Sequence, residues 1–488
     1  MAPSFSSLTD EALIALETIG ERAGNLFNPS LRLGVTGLSR AGKTIFITSL
    51  VHNLMHGGRL PMFEAAWSGR ISKAHLQPQP DDGVPRFQYE DHIARLVQDR
   101  LWPDSTRAIS ELRLVIEYES ASGWGRYFSA GKLNLDIVDY PGEWLLDLPL
   151  LAQDYRTFSR NAVELARSPA RSDLAEKWLE RASTVSPHDE ASEETARELA
   201  VVFTDYLAAC KADSRALSTL PPGRFLMPGD LDGSPALTFA PLPDLPEGRA
   251  PQSSLHAMME RRFESYKNVV VKPFFREHVA RLDRQIVLID AMQAMNAGRE
   301  AVIDLERALA EVLECFRPGR NNLVSRLFTH RIDKVLVAAT KADHLHHESH
   351  DRLEALASRL VERAAERIGA SGAEFEVIAM AAVRATREAN GADDALPLIV
   401  GTPINGEEID GHRFDGETKT AIFPGDLPKN PESFFEQLES GSQPAIPPIN
   451  IVRFRPPRIE KDERGVKLSL PHIRLDRALE YLLGDRLE

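Results

Sequence analysis

The stretch Gly37-Leu38-Ser39-Arg40-Ala41-Gly42-Lys43-Thr44 has the spacing G-x-x-x-x-G-K-T. Every part of that pattern serves phosphate chemistry. Gly37 and Gly42 let the backbone turn so that successive N–H groups, through Ser39, Arg40 and Ala41, face inward toward phosphate oxygens. Lys43 sets an ammonium against β- and γ-phosphates, and the Thr44 hydroxyl can ligate Mg²⁺. A helix beginning at Lys43 adds its partial positive end to the same place. The plainer alternative is a glycine-containing turn with no ligand. The flanks favour the cradle: "LRLGVT" before it reads as a strand, and "KTIFITSLVHNLM" after it as a helix.

Two further loops carry chemistry. At the end of the apolar run "LNLDIV" stands Asp139-Tyr140-Pro141-Gly142. An aspartate there can reach a Mg²⁺-bound water, and a glycine three residues on can offer its N–H to a γ-phosphate. Asp136, taken to share the face of Asp139, is a second candidate, with a solvated strand position as its alternative. After "DKVLVAA" comes Thr340-Lys341-Ala342-Asp343. The two oxygens of Asp343 suit the adjacent N1–H and 2-amino donors of guanine, which adenine lacks, and the stem of Lys341 can lie over a base. The alternative is that Asp343 caps the helix read from "HLHHESHDRLEALASRL". One strand later, the amides of Ala381 and Ala382 are candidates for the guanine oxygen.

The elements that must position these loops are legible as apolar runs at 31–36, 111–120, 132–140, 285–290, 333–340 and 374–382, the second and third joined by a turn holding Gly123, Gly125 and Gly131. Alternation of such runs with helical stretches predicts an α/β fold: a mainly parallel sheet with helices on both faces. The expected organisation is an N-terminal helix over 1–30, capped by Thr9, and a first part of the nucleotide domain over 31–144. A mainly helical insertion follows over 145–275, then a second part over 276–392. A β-rich appendage closing in a helix spans 393–488. His346 and His350 would share a helical face, where zinc or plain solvation are the choices. The basic stretch "YKNVVVKPFFREHVARLDR" reads as a packed helix or as a surface for an anionic partner.

The composition bounds the function. The chain has 488 residues and a formal charge of −14, which argues against a dedicated nucleic-acid binder. Two cysteines, Cys210 and Cys315, make no disulfide framework and suit a reducing compartment. No signal peptide and no run near 20 apolar residues is visible, so a cytoplasmic location is expected, with peripheral membrane contact left open.

Taken in order, "GLSRAGKT", "DYPGEWLLDLPLL", "RLDRQIVLID", "TKADH" and "AAVRAT" resemble a TRAFAC-type GTPase, and more closely the bacterial YcjX-like family of P-loop proteins, over nearly the full length. The resemblance implies a P-loop NTPase fold, bound GTP or GDP with Mg²⁺, and a switch that hydrolyses GTP in a bacterial stress response. It implies that Lys43 and Thr44 hold phosphate and metal, that Gly142 anchors a second switch, and that Asp343 reads guanine. It also implies a first-switch metal ligand before the 111–120 strand, where Thr106 is the choice and Ser105 the fallback. Two departures stand out. Thr340 replaces the asparagine of many small GTPases, and Glu143 takes the place of a water-orienting glutamine. A carboxylate there repels a γ-phosphate, so slow intrinsic turnover is expected, with Arg40 as an internal arginine finger. An ATPase of the same fold and a non-hydrolysing nucleotide-gated scaffold are the rival readings. An unidentified protein partner is expected to use the insertion or the C-terminal region.

Overall fold

The computed structural model describes residues 29–38, 41–104, 108–121, 131–215, 217–316, 332–367, 375–390, 396–440, 449–459 and 469–488. Nearly all of the expected N-terminal helix, together with Ser39, Arg40, Ser105, Thr106, Gly123 and Gly125, lies outside these residues.

A seven-stranded sheet forms the centre. Its strands are β1 (Ser30–Gly37), β2 (Ile71–Gln77), β3 (Ser110–Tyr118), β4 (Gly131–Asp139), β5 (Arg284–Ile289), β6 (Lys334–Ala339) and β7 (Glu376–Ala379). They lie in the order β2-β3-β4-β1-β5-β6-β7. β4, β1, β5, β6 and β7 run parallel, while β2 and β3 join as antiparallel neighbours. Chain connections leave β1 toward one side of the sheet and then return to the other. The carboxyl end of β1 is therefore the topological switch point, where open α/β sheets bind ligands.

The central strands are buried on both faces, which explains their nearly unbroken apolar sequence. Edge strand β2 was not anticipated. Its sequence, ISKAHLQ, buries only Ala74 and so carries no apolar run. β7 is shorter than expected. The amide of Met380 still bonds Ala339 of β6, but that of Ala381 turns away to Ile473.

Alternate residues along each strand feed two cores. On one face Leu33, Val35, Ile137, Leu288 and Leu336 meet Phe46, Ile47 and Leu50 of helix α1 (Lys43–Met55). On the other, Val138, Val287, Ile289, Val337 and Ala339 meet the helices of the 145–275 stretch. These are α2 (Tyr155–Ala166), α3 (Ser172–Ser183), α4 (Glu193–Ala212) and α5 (Leu255–Tyr266). Asp154 and Ser192 cap α2 and α4 through the amides of Thr157 and Thr195. The later helices α6 (Arg299–Cys315) and α7 (His350–Arg367) join the same core. The basic stretch after α5 packs as a helix, burying Val270, Val271, Phe274 and Phe275.

Beyond β7, a small antiparallel sheet of β8 (Arg387–Asn390), β9 (Pro397–Gly401) and β12 (Thr420–Ile422) and a hairpin of β10 (Glu408–Ile409) and β11 (His412–Arg413) form around Ile399, Phe414, Ile422, Val452 and Phe454. Helix α8 (Leu475–Leu483) does not pack with them. Its Leu475, Leu479, Leu482 and Leu483 join the core on the face of the sheet that also carries α1. The division expected at 393 therefore separates stretches of chain, and α8 packs with the main sheet.

Leu479 is wholly buried between α8 and the sheet. Leu479→Ala is expected to cost about 2–5 kcal/mol through lost burial and the cavity left behind. Leu396→Ala, at a half-exposed position, should stay within about 0.5 kcal/mol. Denaturant unfolding of the two variants checks the contrast.

Candidate functional site

Gly42, the residue before α1, sits at φ 83°, the left-handed region open to glycine. That turn delivers Lys43 and Thr44 to the first turn of the helix. The Lys43 ammonium donates to Asp139 Oδ1 at 2.7 Å and to the Tyr140 carbonyl at 3.0 Å, so it bridges α1 and the end of β4. Asp139 is 1% exposed, and its Oδ2 is buried with no hydrogen-bond partner among the described residues. A buried carboxylate oxygen left unpaired is costly and marks a place for a cation or an ordered water. Thr44 lines the cavity next to Lys43, the partner of Asp139. A hydroxyl and a carboxylate are hard oxygen donors, a set that fits Mg²⁺. Thr44 and Asp139 are the residues that would hold it.

Gly142 meets the P-loop directly. A Cβ on Gly142 would lie 2.4 Å from the Gly37 carbonyl oxygen, so no side chain fits there without moving backbone. This contact brings the loop after β4 against the loop after β1. Asp136 is not part of the site. It is three residues from Asp139, hence on the opposite face of β4, and forms a bidentate pair with Arg113 at 2.6 and 2.7 Å across the antiparallel register.

Glu143 differs from the expectation of a bare negative charge. Its Oε1 lies 2.7 Å from the Lys211 ammonium, at the last turn of α4, and the glutamate is 6% exposed. The repulsion expected of Glu143 is therefore offset by a cation from the insertion. The segment Gly142–Ala152 continues as a buried 3₁₀ helix. The Arg224 guanidinium stacks on Trp144 at 3.3 Å, and Phe274 meets the same ring edge-on. Asp147 accepts from the Gly223 amide at 2.7 Å and from the Tyr266 hydroxyl at 2.6 Å. Burial pushes its carboxyl up to about 6, against the hydrogen bonds from Tyr266 and Gly223 that favour the ionised form. None of these insertion residues stood out in the sequence. Lys211 reads as an ordinary cation at a helix C-terminus.

At the other end of the sheet edge, Lys341 adopts φ 62° and its ammonium pairs with Asp290, which follows β5. Asp290 was missed, although it ends "QIVLID" as Asp139 ends its own strand. The Thr340 hydroxyl bonds Ile289 at 3.2 Å, tying this loop to β5. Asp343 is buried in a 3₁₀ turn, Ala342–His344. Its Oδ2 accepts from the Ala385 amide at 2.9 Å, and its carbonyl accepts from the Thr386 hydroxyl. The helix-cap alternative has no place here, because α7 begins only at His350. Of the two amides expected to meet a base, that of Ala381 is engaged: it donates to Ile473 at 3.0 Å. The carbonyl of Ala382 accepts from Ser49 of α1. His346 lies before α7 rather than sharing its face with His350, and its ring instead lies near His347 and Glu348.

One cavity of about 1180 Å³ gathers most of these groups. Gly37, Ala41, Gly42, Lys43 and Thr44 line it with Glu143 and Lys211, and so do Lys341, Asp343, Ala381 and Ala382. Arg453 and Phe454 of the C-terminal β unit border it too. The Trp102 indole donates to the Phe454 carbonyl at 2.6 Å and so ties the loop before β3 to that unit.

Residues 31–487 match the YcjX-like family, DUF463. The chain belongs to that family. It is 38% identical over 472 residues to a protein of Escherichia coli (strain K12) named Ras-like GTPase YcjX, covering 94% of this chain and 96% of that one. It is 33% identical over 506 residues to a protein of the same name from Shewanella oneidensis, covering 97% and 99%. This YcjX-like chain is thus GTPase-like, with a mixed, mostly parallel sheet flanked by helices. Among its described residues no helix is long and apolar enough to cross a membrane.

The Asp147 carboxyl yields a pH signature. Its value is about 6 in the fold against 3.8 ordinarily. Between those values the folded state keeps a proton that the unfolded chain releases, so this group's contribution to stability falls as pH rises from 4 to 6.5. The loss is roughly 3 kcal/mol. Asp147→Asn is expected to flatten that part of the profile. Thermal unfolding at a series of pH values should show the two curves diverging across this window, and parallel curves would refute the assignment.

Proposed function

We propose that this protein is a Mg²⁺-dependent GTP-binding hydrolase that works as a conformational switch, cytoplasmic and serving a bacterial stress response. What carries the reading is the single cavity that runs from Lys43 and Thr44 to Asp343. Phosphate and base would each find a fitting loop there. Lys43 would exchange Asp139 for phosphate oxygens, because an ammonium gains more from a polyanion than from one carboxylate. The start of α1 at Lys43 would offer its amides to the same phosphates. The expected amide of Ala41 instead donates to the Leu38 carbonyl at 3.2 Å, and that of Leu38 to the Leu288 carbonyl at 3.0 Å. Thr44 and Asp139 would hold Mg²⁺, with Thr106 as the expected first-switch ligand, and the ion would supply positive charge against the phosphates. Gly142, packed on Gly37, would sense the γ-phosphate. Asp343 would accept from the N1–H and 2-amino groups of guanine, Lys341 would cover the base, and Ala382 is the remaining amide for the guanine oxygen. The names of the relatives support this reading. Glu143 cannot donate to a γ-phosphate as a glutamine would, so intrinsic turnover should be slow, with Arg40 as the finger.

Calorimetry with GTP, GDP and ATP, with and without Mg²⁺, tests the reading directly. GTP and GDP should bind and ATP should not compete; tight ATP binding would move the assignment to an ATPase. Steady phosphate release from GTP separates a hydrolase from a scaffold that only binds. Lys43→Ala should weaken GTP binding by about two to four decades, from the loss of two charge-assisted hydrogen bonds. Unchanged affinity would mean that the phosphates lie elsewhere.

Asp343→Asn gives the base-specific check. Xanthine keeps the N1–H donor but carries an acceptor where guanine has its amino group. An asparagine offers one acceptor and one donor, and so matches xanthine as aspartate matches guanine. The variant should lose GTP affinity and bind XTP better than GTP, by a ratio of up to roughly 10⁴. Retained GTP affinity with no gain for XTP would leave Asp343 as a loop brace for Ala385 only.

A further inference from the structure

Two lysines line the phosphate end of the cavity, and each is paired with a carboxylate at or just beyond the end of β4. Lys43 of the P-loop holds Asp139, and Lys211 of the insertion holds Glu143, both at 2.7 Å. The first belongs to a phosphate cradle by its motif. The second has the same surroundings without a motif.

Three observations bear on what Lys211 does. Glu143 follows Gly142, whose α-carbon packs on the Gly37 carbonyl, so the carboxylate is carried by the residue next to the contact with the first P-loop residue. Lys211 is not sealed in the core: its side chain is 26% exposed against 8% for Glu143, and it lines the same cavity as Gly37, Lys43 and Thr44. Its backbone is held firmly. It lies in the last turn of α4, where the helix dipole favours a cation. The chain beyond it is pinned by Asp304, which accepts from the amides of Ser218 and Thr219 and pairs with buried Arg171. An ammonium has three donors on a flexible stem, and Glu143 is the carboxylate it pairs with.

We propose that Lys211 is a γ-phosphate-binding residue supplied by the helical insertion and parked on Glu143. The inference rests on the GTP reading above and deepens it. A γ-phosphate carries more charge than the Glu143 carboxylate, so a triphosphate recruits the ammonium and a diphosphate leaves it where it is. The insertion thereby distinguishes GTP from GDP through a residue of its own, with no partner protein required. The competing account is that Lys211 only neutralises Glu143.

The test is made where that competing role is absent. Removing Lys211 alone would leave Glu143 buried and unpaired, so Glu143→Gln is compared with the double variant Glu143→Gln/Lys211→Ala. Each is titrated with GDP and with a GTP analogue uncleavable between the β- and γ-phosphates. Loss of Lys211 is expected to lower affinity for the analogue by roughly ten- to a hundredfold while that for GDP stays within about threefold. Equal analogue-to-GDP ratios in the two variants would overturn the inference and leave the GTP reading intact. A parallel fall for both nucleotides would also overturn it, since Lys211 would then shape the site without reading the third phosphate. Failure of the parent protein to bind either nucleotide would remove the GTP reading and this inference together.

Discussion

A lysine and an aspartate meet at the carboxyl edge of the sheet, and the surrounding loops are arranged about them. Lys43 begins the helix after β1, Asp139 ends β4, and the two strands are parallel neighbours with Val35 opposite Asp139. Burying that pair removes two charges from water, and their mutual attraction repays this only in part. The unpaired Asp139 Oδ2 shows where the compensation is incomplete. Such a site is poor as a source of stability and well suited to exchange, because an incoming anion and cation find partners already in place. The contact of Gly142 with Gly37 sets the neighbouring loop directly against the end of β1.

The same arrangement recurs along the sheet edge. Lys43 pairs with Asp139, Lys211 with Glu143 and Lys341 with Asp290. Two of these carboxylates end core strands or directly follow them, and all three lysines line one cavity. A cavity walled by paired ions is close to neutral, even though the chain as a whole carries −14. A polyanionic ligand therefore meets no net repulsion at the site itself, despite the acidic surface around it.

The readable parts of the molecule were those where one physical requirement dominates. Strands buried on both faces must be apolar throughout, so β1, β4, β5 and β6 were legible within a residue or so. The spacing of Gly42 and Lys43 also made legible the left-handed turn and the start of α1. β2 was not, because an edge strand with one buried residue has no pattern to show. Asp136 was misplaced because a three-residue interval in a strand reverses the face, and a facing Arg113 across the sheet cannot be seen along the chain. Lys211 and the Asp147 network were invisible for a related reason. They act through contacts made by separate helices, and each looks like a common residue within its own helix. The engagement of the Ala381 amide by Ile473 likewise depends on a segment far away in sequence.

That distance has a consequence for how the protein is made. Helix α8 packs on β6 within the same core as α1, and Asp476 of α8 accepts from the Met62 amide across 414 residues of chain. At ordinary elongation rates, roughly 20–80 s separate the synthesis of these two partners. Through that interval the core that holds Phe46, Ile47 and Leu50 lacks the leucines of α8. The core on this face of the sheet is therefore completed late, and the nascent chain presents apolar surface of the kind that chaperones bind.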